Sequence, residues 1–317
     1  MQVQSLAYVI INSTDLSKWS HYATQVCGLM PSTSMKVDSV AGNPIEFYKM
    51  DHRAFRYGVQ KAEFDGLFAS GWKLKDAVAF KDAMDELSSK KIPFEKIEDE
   101  TFLASRSANE LMVVSDPSGN VLEIMWEDDA HANDGVDFAS SCDVEAFITT
   151  AENGVDMGLG HVVLHAPVNF EDTHAFYESI GFLDSDITDL SAQGMGKIYF
   201  MNCNPRHHSL ALWSWGAPTP DTEFRPSPES KAPGCVHLMM EVGSLAEVGS
   251  CLDRVNENEV MVTSTLGEHI NDEMTSFYML SPGNFAVEFG FEGNQLDESH
   301  QTTHNTVASK WGHKWTG

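Results

Sequence analysis

The chain has 317 residues, 42% of them hydrophobic and 10% aromatic, enough to bury a substantial core and too apolar for a disordered segment. Its formal charge of −27, from 47 acidic against 20 basic side chains, repels nucleic acid and anionic lipid and leaves neither as an expected partner. No run approaches the roughly 20 apolar residues of a membrane helix, and Met1-Gln2-Val3-Gln4-Ser5 lacks the basic flank of a secretory signal, so a cytoplasmic location is expected. Five widely spaced cysteines (Cys27, Cys142, Cys203, Cys235, Cys251) without a C-x-x-C pair argue against a disulfide framework or a structural zinc site and read as buried free thiols.

Leu6-Ala7-Tyr8-Val9 opens a β-like run, followed by a helical stretch from Asp15 to Val26 and by Gly28-Leu29. A second unit starts at Ser70-Gly71-Trp72, with a helix from Asp76 to Lys90 and strands near Ile92 and Met112. Asp116-Pro117-Ser118-Gly119 then turns the chain into Val121-Leu122-Glu123-Ile124. Residues 131–155, polar and rich in Asp, Ala and Ser, read as a linker.

The order then repeats. Leu159-Gly160-His161-Val162 opens the third unit, with a helix over Glu171–Ser179 and Gly181-Phe182 after it. His161 to Gly181 and Tyr8 to Gly28 span the same 20 positions (181 − 161 and 28 − 8). Val236–Val242, a helix over Leu245–Asn256, strands near Val260 and Phe277, and the turn Ser281-Pro282-Gly283-Asn284 before Ala286-Val287-Glu288-Phe289 make the fourth unit. The fold expected is α+β, with four repeated βαβββ modules paired into two domains. The domains expected are 1–130 without a metal, 156–292 carrying the chemistry, and a tail at 293–317.

Three polar side chains interrupt apolar strands: His161 in Gly158–Leu164, His237 in Cys235–Met240, and Glu288 in Phe285–Phe289. Taken singly, each histidine reads as a hydrogen-bonded core residue, and Glu288 as the partner of a buried base. Taken together, two imidazoles and a carboxylate with open positions left over form the donor set of non-haem iron(II) oxygen chemistry, whereas structural zinc wants four closed ligands. Nearby lie Asn204-Pro205-Arg206-His207-His208-Ser209-Leu210-Ala211 and His269-Ile270-Asn271-Asp272-Glu273-Met274-Thr275-Ser276-Phe277-Tyr278, with Trp311-Gly312-His313-Lys314 near the end.

L-G-H-V, R-H-H-S-L-A, V-H-x-M-x-E-V and H-x-N-D-x-M-x-S-F-Y, in that order over nearly the whole chain, resemble the type I extradiol ring-cleavage dioxygenases of the vicinal oxygen chelate superfamily. The likeness is strongest to those that open 2,3-dihydroxybiphenyl and other substituted catechols. The resemblance implies Fe(II), or Mn(II) on the same ligands, held by His161, His237 and Glu288. It implies His208 as the acid–base residue, Tyr278 and His269 as catalytic and substrate-binding groups, and Asn271 and Asp272 lining the substrate and the surroundings of the metal. Its partners are a catechol and O2, and relatives are commonly homo-oligomers. Two departures stand out: the turn Ser281-Pro282-Gly283-Asn284 replaces the Thr-Pro-Ser-Gly frequent in the family, and Leu238 follows a ligand. Asn at 284 suits a left-handed backbone, so a shifted turn with the ligand kept is expected.

Strand alternation places His207 on the face opposite His208. Tyr8 stands where the N-terminal half would need a ligand, so that half is expected to bind no metal, and Glu123 is expected to pair with a buried base. His165 and His174 have no fixed direction, His300, His304 and His313 belong to a tail able to fold over the site, and His21, His52 and His131 read as surface residues. Three rival readings remain. The glyoxalase type needs metal ligands from both halves, which Tyr8 opposes. The 2-oxoacid hydroxylating dioxygenases share the ligands without the Asn271–Tyr278 segment, and a metal-free ligand-sequestering protein would make the three ligands accidental.

Overall fold

The computed structural model describes residues 1–218 and 226–316. Two mixed sheets, of nine and ten strands, each hold two copies of one unit. In every unit the first and last strands pair in parallel, with the helix and the other strands between them. Ser5–Ser13 pairs with Tyr57–Lys61, Gly66–Lys73 with Val121–Trp126, Val162–His165 with Leu210–Trp213, and Gly234–Val242 with Ala286–Phe291. The first strands of neighbouring units then pair antiparallel, Ser5–Ser13 with Gly66–Lys73 and Val162–His165 with Gly234–Val242, which completes each sheet. This is the α+β arrangement of four modules expected from the repeat, and the vicinal oxygen chelate (glyoxalase-like) fold implied by the resemblance.

The helices follow local rules. Asp76 caps Ala77–Ser89 by accepting from Ala79 N, and Ser244 caps Leu245–Glu257 by accepting from Glu247 N while its hydroxyl donates to the Glu247 carboxylate at 2.9 Å. Each presents an i, i+3, i+7 stripe to its sheet: Phe80, Ala83 and Leu87 on one, Val248, Cys251 and Val255 on the other. The helix expected from Asp15 to Val26 is α-helical only over Leu16–His21 and widens to a π-turn over Tyr22–Val26. There the Thr24 hydroxyl takes the Ser20 carbonyl at 2.8 Å and Cys27 N closes back on Tyr22 O. The strand expected near Ile92 begins at Phe94, because Lys91 turns left-handed (φ 58°) to end the preceding helix.

One core runs through both halves, and Trp72 meets Phe182 edge-to-face at 4.9 Å across them. Gly158 makes that approach feasible: a Cβ there would stand 2.4 Å from Leu6 O. Residues 131–155 are anchored rather than loose. Asp134 pairs with Lys49, Asp143 with Arg254, and Phe147 bridges to Val242. The tail turns back over the C-terminal sheet, adding Thr303–Asn305 at one edge and Ser309–Trp311 at the other. All five cysteines are free, Cys27, Cys235 and Cys251 buried as expected but Cys142 and Cys203 only half-buried, and no helix among the described residues is long and apolar enough to cross a membrane.

Candidate metal centre

His161 directly precedes Val162–His165, where its carbonyl accepts from Met239 N at 2.9 Å. His237 lies on Gly234–Val242, and Glu288 pairs with Met239 across the parallel strands. This register gathers three side chains distant in sequence. His161 Nε2 stands 3.1 Å from His237 Nε2 and 3.1 Å from Glu288 Oε2, and His237 Nε2 is 3.2 Å from the same oxygen. For ligand atoms about 2.0–2.2 Å from a divalent cation, right-angled neighbours stand about 2.8–3.1 Å apart. The triangle therefore fits one cation on three ligands, with the remaining positions open.

Burial alone would push the Glu288 carboxyl up, yet contacts with His161, His237 and His269 hold it well below the carboxylate range. Its other oxygen accepts from Ser276 Oγ at 2.6 Å and lies 3.2 Å from His269 Nε2. Burial works against charge on His269, but the Glu288 contact outweighs it and lifts that imidazole to about 9. His269 Nε2 also meets Tyr278 Oη at 2.7 Å, and burial pushes the Tyr278 phenol well above its ordinary value.

His208 stacks on His161 with ring centres 3.9 Å apart, while Tyr278 meets the His237 ring edge-on at 5.1 Å. Burial keeps His208 neutral, lowering it well below its usual value, and brings His161 down to about 4. Asp272 Oδ2 is 3.9 Å from His208 Nδ1, and Asp272 is fixed by Met274 N at 3.1 Å. Asn271 is half-buried on the turn two residues beyond His269, and among the described residues no hydrogen bond joins it to the other site groups. Solvent reaches the centre from one side: the His237 and His269 side chains are 12% and 18% exposed, those of His161 and Glu288 only 2%.

Asn284 turns left-handed (φ 59°), as expected for the shifted turn before Glu288. The expectation for His207 is overturned. Residues 203–209 form a turn ahead of the strand Leu210–Trp213, so strand alternation does not apply, and His207 is buried against His208. Burial lowers it to about 4. Arg206 holds this turn by pairing with Glu241 and donating to Ile148 O at 2.6 Å.

Sequence reasoning gave Ser276 no role, although it shares the strand face of Tyr278. His313, expected on a tail able to fold over the site, does so, with its ring 4.1 Å from that of His269 and 3.2 Å from Ser276 Oγ. Of the other histidines, His165 is buried with Nδ1 2.8 Å from Trp215 O, and His174 pairs with Asp184 at 2.7 Å. His300 meets Ser185 O at 2.9 Å, and His21, His52 and His131 are exposed.

Fold and site together define a vicinal oxygen chelate protein with a two-histidine, one-glutamate centre confined to its C-terminal half. A family model described as "Dihydroxybiphenyl dioxygenase BphC D1" matches residues 6–61, and one described as "Glyoxalase/Bleomycin resistance protein/Dioxygenase superfamily" matches residues 158–289. The chain is 34% identical to an iron-dependent extradiol dioxygenase of Rhodococcus jostii, over 100% of this chain and 98% of that one. It is 32% identical to a biphenyl-2,3-diol 1,2-dioxygenase of Paraburkholderia xenovorans, over 99% and 96%. The solved structure of BphC, a halotolerant catechol dioxygenase, superposes with a TM-score of 0.83 at 27% identity, covering 99% of this chain and 95% of that one. This chain belongs to the extradiol ring-cleavage dioxygenases, and it is an enzyme of that class.

Proposed function

We propose that the protein opens a bicyclic catechol such as 2,3-dihydroxybiphenyl at the bond beside its diol, placing both atoms of O2 in the product. Iron(II) is the proposed cofactor, held by His161, His237 and Glu288. The observation that carries the reading is the triangle of ligand atoms, 3.1–3.2 Å on each side, flanked by His208 against one ligand and Tyr278 against another. Biphenyl-2,3-diol dioxygenases among the relatives support the substrate class.

The chemistry the metal supplies when bound is chelation of both catechol oxygens and passage of electron density from the ring to dioxygen. Tyr278 Oη, tied to His269 Nε2 at 2.7 Å, hydrogen-bonds and orients a substrate hydroxyl. His208 is the acid–base residue: its neutral, buried ring hydrogen-bonds negative charge developing on the oxygen being reduced, and it passes to that oxygen a proton given up by the catechol. Asp272 fixes the turn beneath His208, and Asn271 lines the substrate side. The half spanning 156–292 does the chemistry, the half spanning 1–130 supports it, and the tail that begins at residue 293 closes over the site through His313. The charge of −27 supports the absence of nucleic acid and lipid partners. A cytoplasmic homo-oligomer completes the reading, resting on the sequence and on family likeness.

The test is oxygen uptake and product absorbance with 2,3-dihydroxybiphenyl, comparing iron(II)-loaded wild type with His161→Ala. Turnover in the wild type, lost in the variant by about 10³-fold or more, is expected. A wild type inactive on this and on a panel of smaller and larger catechols overturns the reading.

A further inference from the structure

Among the described residues, His207 is a buried imidazole beside the centre to which the chemistry above gives no task. Its Nδ1 faces His208 Nδ1 at 3.1 Å. The ring planes stand at 89° with centres 5.3 Å apart, so edge meets edge and nitrogen meets nitrogen. Both residues are 3% exposed, and burial favours the neutral form of imidazole. A neutral ring has one N–H and one bare nitrogen. A 3.1 Å contact between two such nitrogens is a hydrogen bond only when one carries the proton and the other does not. Whichever ring donates therefore fixes which nitrogen of its neighbour is protonated.

The surroundings favour donation by His207. The other polar group near His208 Nδ1 is Asp272 Oδ2 at 3.9 Å, beyond hydrogen-bond reach. His207 Nε2 has no partner among the described groups and borders a cavity of about 10 Å³, which Asp272 and Asn294 also line. That space is about the size of one water, and a bare Nε2 accepts a hydrogen bond from water. With Nδ1 of His208 occupied, Nε2 is the nitrogen left to serve the reaction.

We propose that His207 is a positioning residue: it donates its Nδ1–H to His208 Nδ1 and so keeps His208 protonated on Nε2. The inference deepens the reading of His208 as the acid–base residue and rests on it. A fixed donor at Nε2 bonds charge developing on oxygen without His208 first taking up a proton. The opposite tautomer would present a lone pair to that charge. In the Ser-His-Asp triad, an imidazole held in the wrong tautomer costs orders of magnitude in rate although the geometry is kept.

The experiment compares His207→Asn with His207→Asp. The two are isosteric and place, respectively, a donor or an acceptor one bond beyond Cγ, where Nδ1 stands now. Thermal unfolding checks that each variant folds. The expected result is kcat for 2,3-dihydroxybiphenyl within about tenfold of wild type for H207N and about 10²-fold lower for H207D, with KM for the catechol unchanged. The second readout is the ring ¹⁵N–¹H spectrum of protein loaded with diamagnetic zinc. It is expected to show His208 protonated on Nε2 in the wild type and H207N, and on Nδ1 in H207D. Equal losses in the two folded variants, or a wild-type His208 protonated on Nδ1, overturns the proposal. The wild-type spectrum decides alone if a variant does not fold. A wild type that cleaves no catechol defeats the functional reading instead, and the spectrum still settles the tautomer.

Discussion

The same strand register carries a buried glutamate in both halves of the molecule, and each half neutralises it differently. In the C-terminal half, His161 lies beside Met239 and Met239 pairs with Glu288. In the N-terminal half, Tyr8 pairs with Gly71 and Gly71 with Glu123. His237 is two positions before Met239, so its counterpart is Ala69, two before Gly71. Tyr8, Ala69 and Glu123 thus stand in place of His161, His237 and Glu288. Gly71 is required there because a Cβ would stand 2.4 Å from the Tyr8 ring.

A fully buried carboxylate needs a positive partner. Arg106 supplies it in the N-terminal half, bonding Glu123 at 2.8 and 3.1 Å while Tyr8 Oη donates at 2.7 Å, with Arg106 and Glu123 wholly buried. In the C-terminal half no arginine or lysine bonds Glu288 among the described residues; it faces imidazoles and a hydroxyl. One fold therefore carries two solutions. An internal guanidinium gives a permanent structural ion pair, whereas two imidazoles leave a place that an exchangeable cation fits.

The sharpest way to break this comparison is Arg106→Met, which strands Glu123 without its cation. A loss of about 3–5 kcal/mol in denaturant unfolding is expected. The double variant R106M/E123M is expected to recover most of it, and a single variant as stable as wild type would refute the pairing. Tyr8→Phe removes one hydrogen bond to the same carboxylate and should cost about 1.5 kcal/mol, with iron content unchanged.

The smallest effect concerns acid. Burial pushes Asp51 up, but Arg56 beside it wins and holds it below its ordinary 3.8. A folded-state value below the unfolded one stabilises the protein above pH 3.8, and this contribution is lost as pH falls toward the lower value. Arg56→Met should therefore flatten the fall in stability below pH 3.8, read from unfolding midpoints at successive pH values. An unchanged acid limb would show that other carboxylates govern it.

How much of this was legible in the sequence follows from the range of the interactions. The four units were readable because spacing and turn residues are local, and the candidate ligands because polar atoms in apolar runs are conspicuous. The register that makes them converge was not, since Glu288 meets His161 across 127 positions. A buried base was expected for Glu123, but which one depends on a contact between a helix end and a strand. His207 was misplaced because a strand rule was applied to a turn; the tail carrying His313 was readable as one that folds over the site, but its contact with His269 was not, since the tail's path follows from packing rather than periodicity.

The most direct test of the central claim is anaerobic titration of iron(II) into metal-free wild type, Glu288→Gln and Tyr8→Phe, counting ions bound per chain. One ion is expected in the wild type and in Y8F, and none held tightly in E288Q. Two ions in the wild type, or tight binding retained by E288Q, would contradict a single metal centre confined to the C-terminal half.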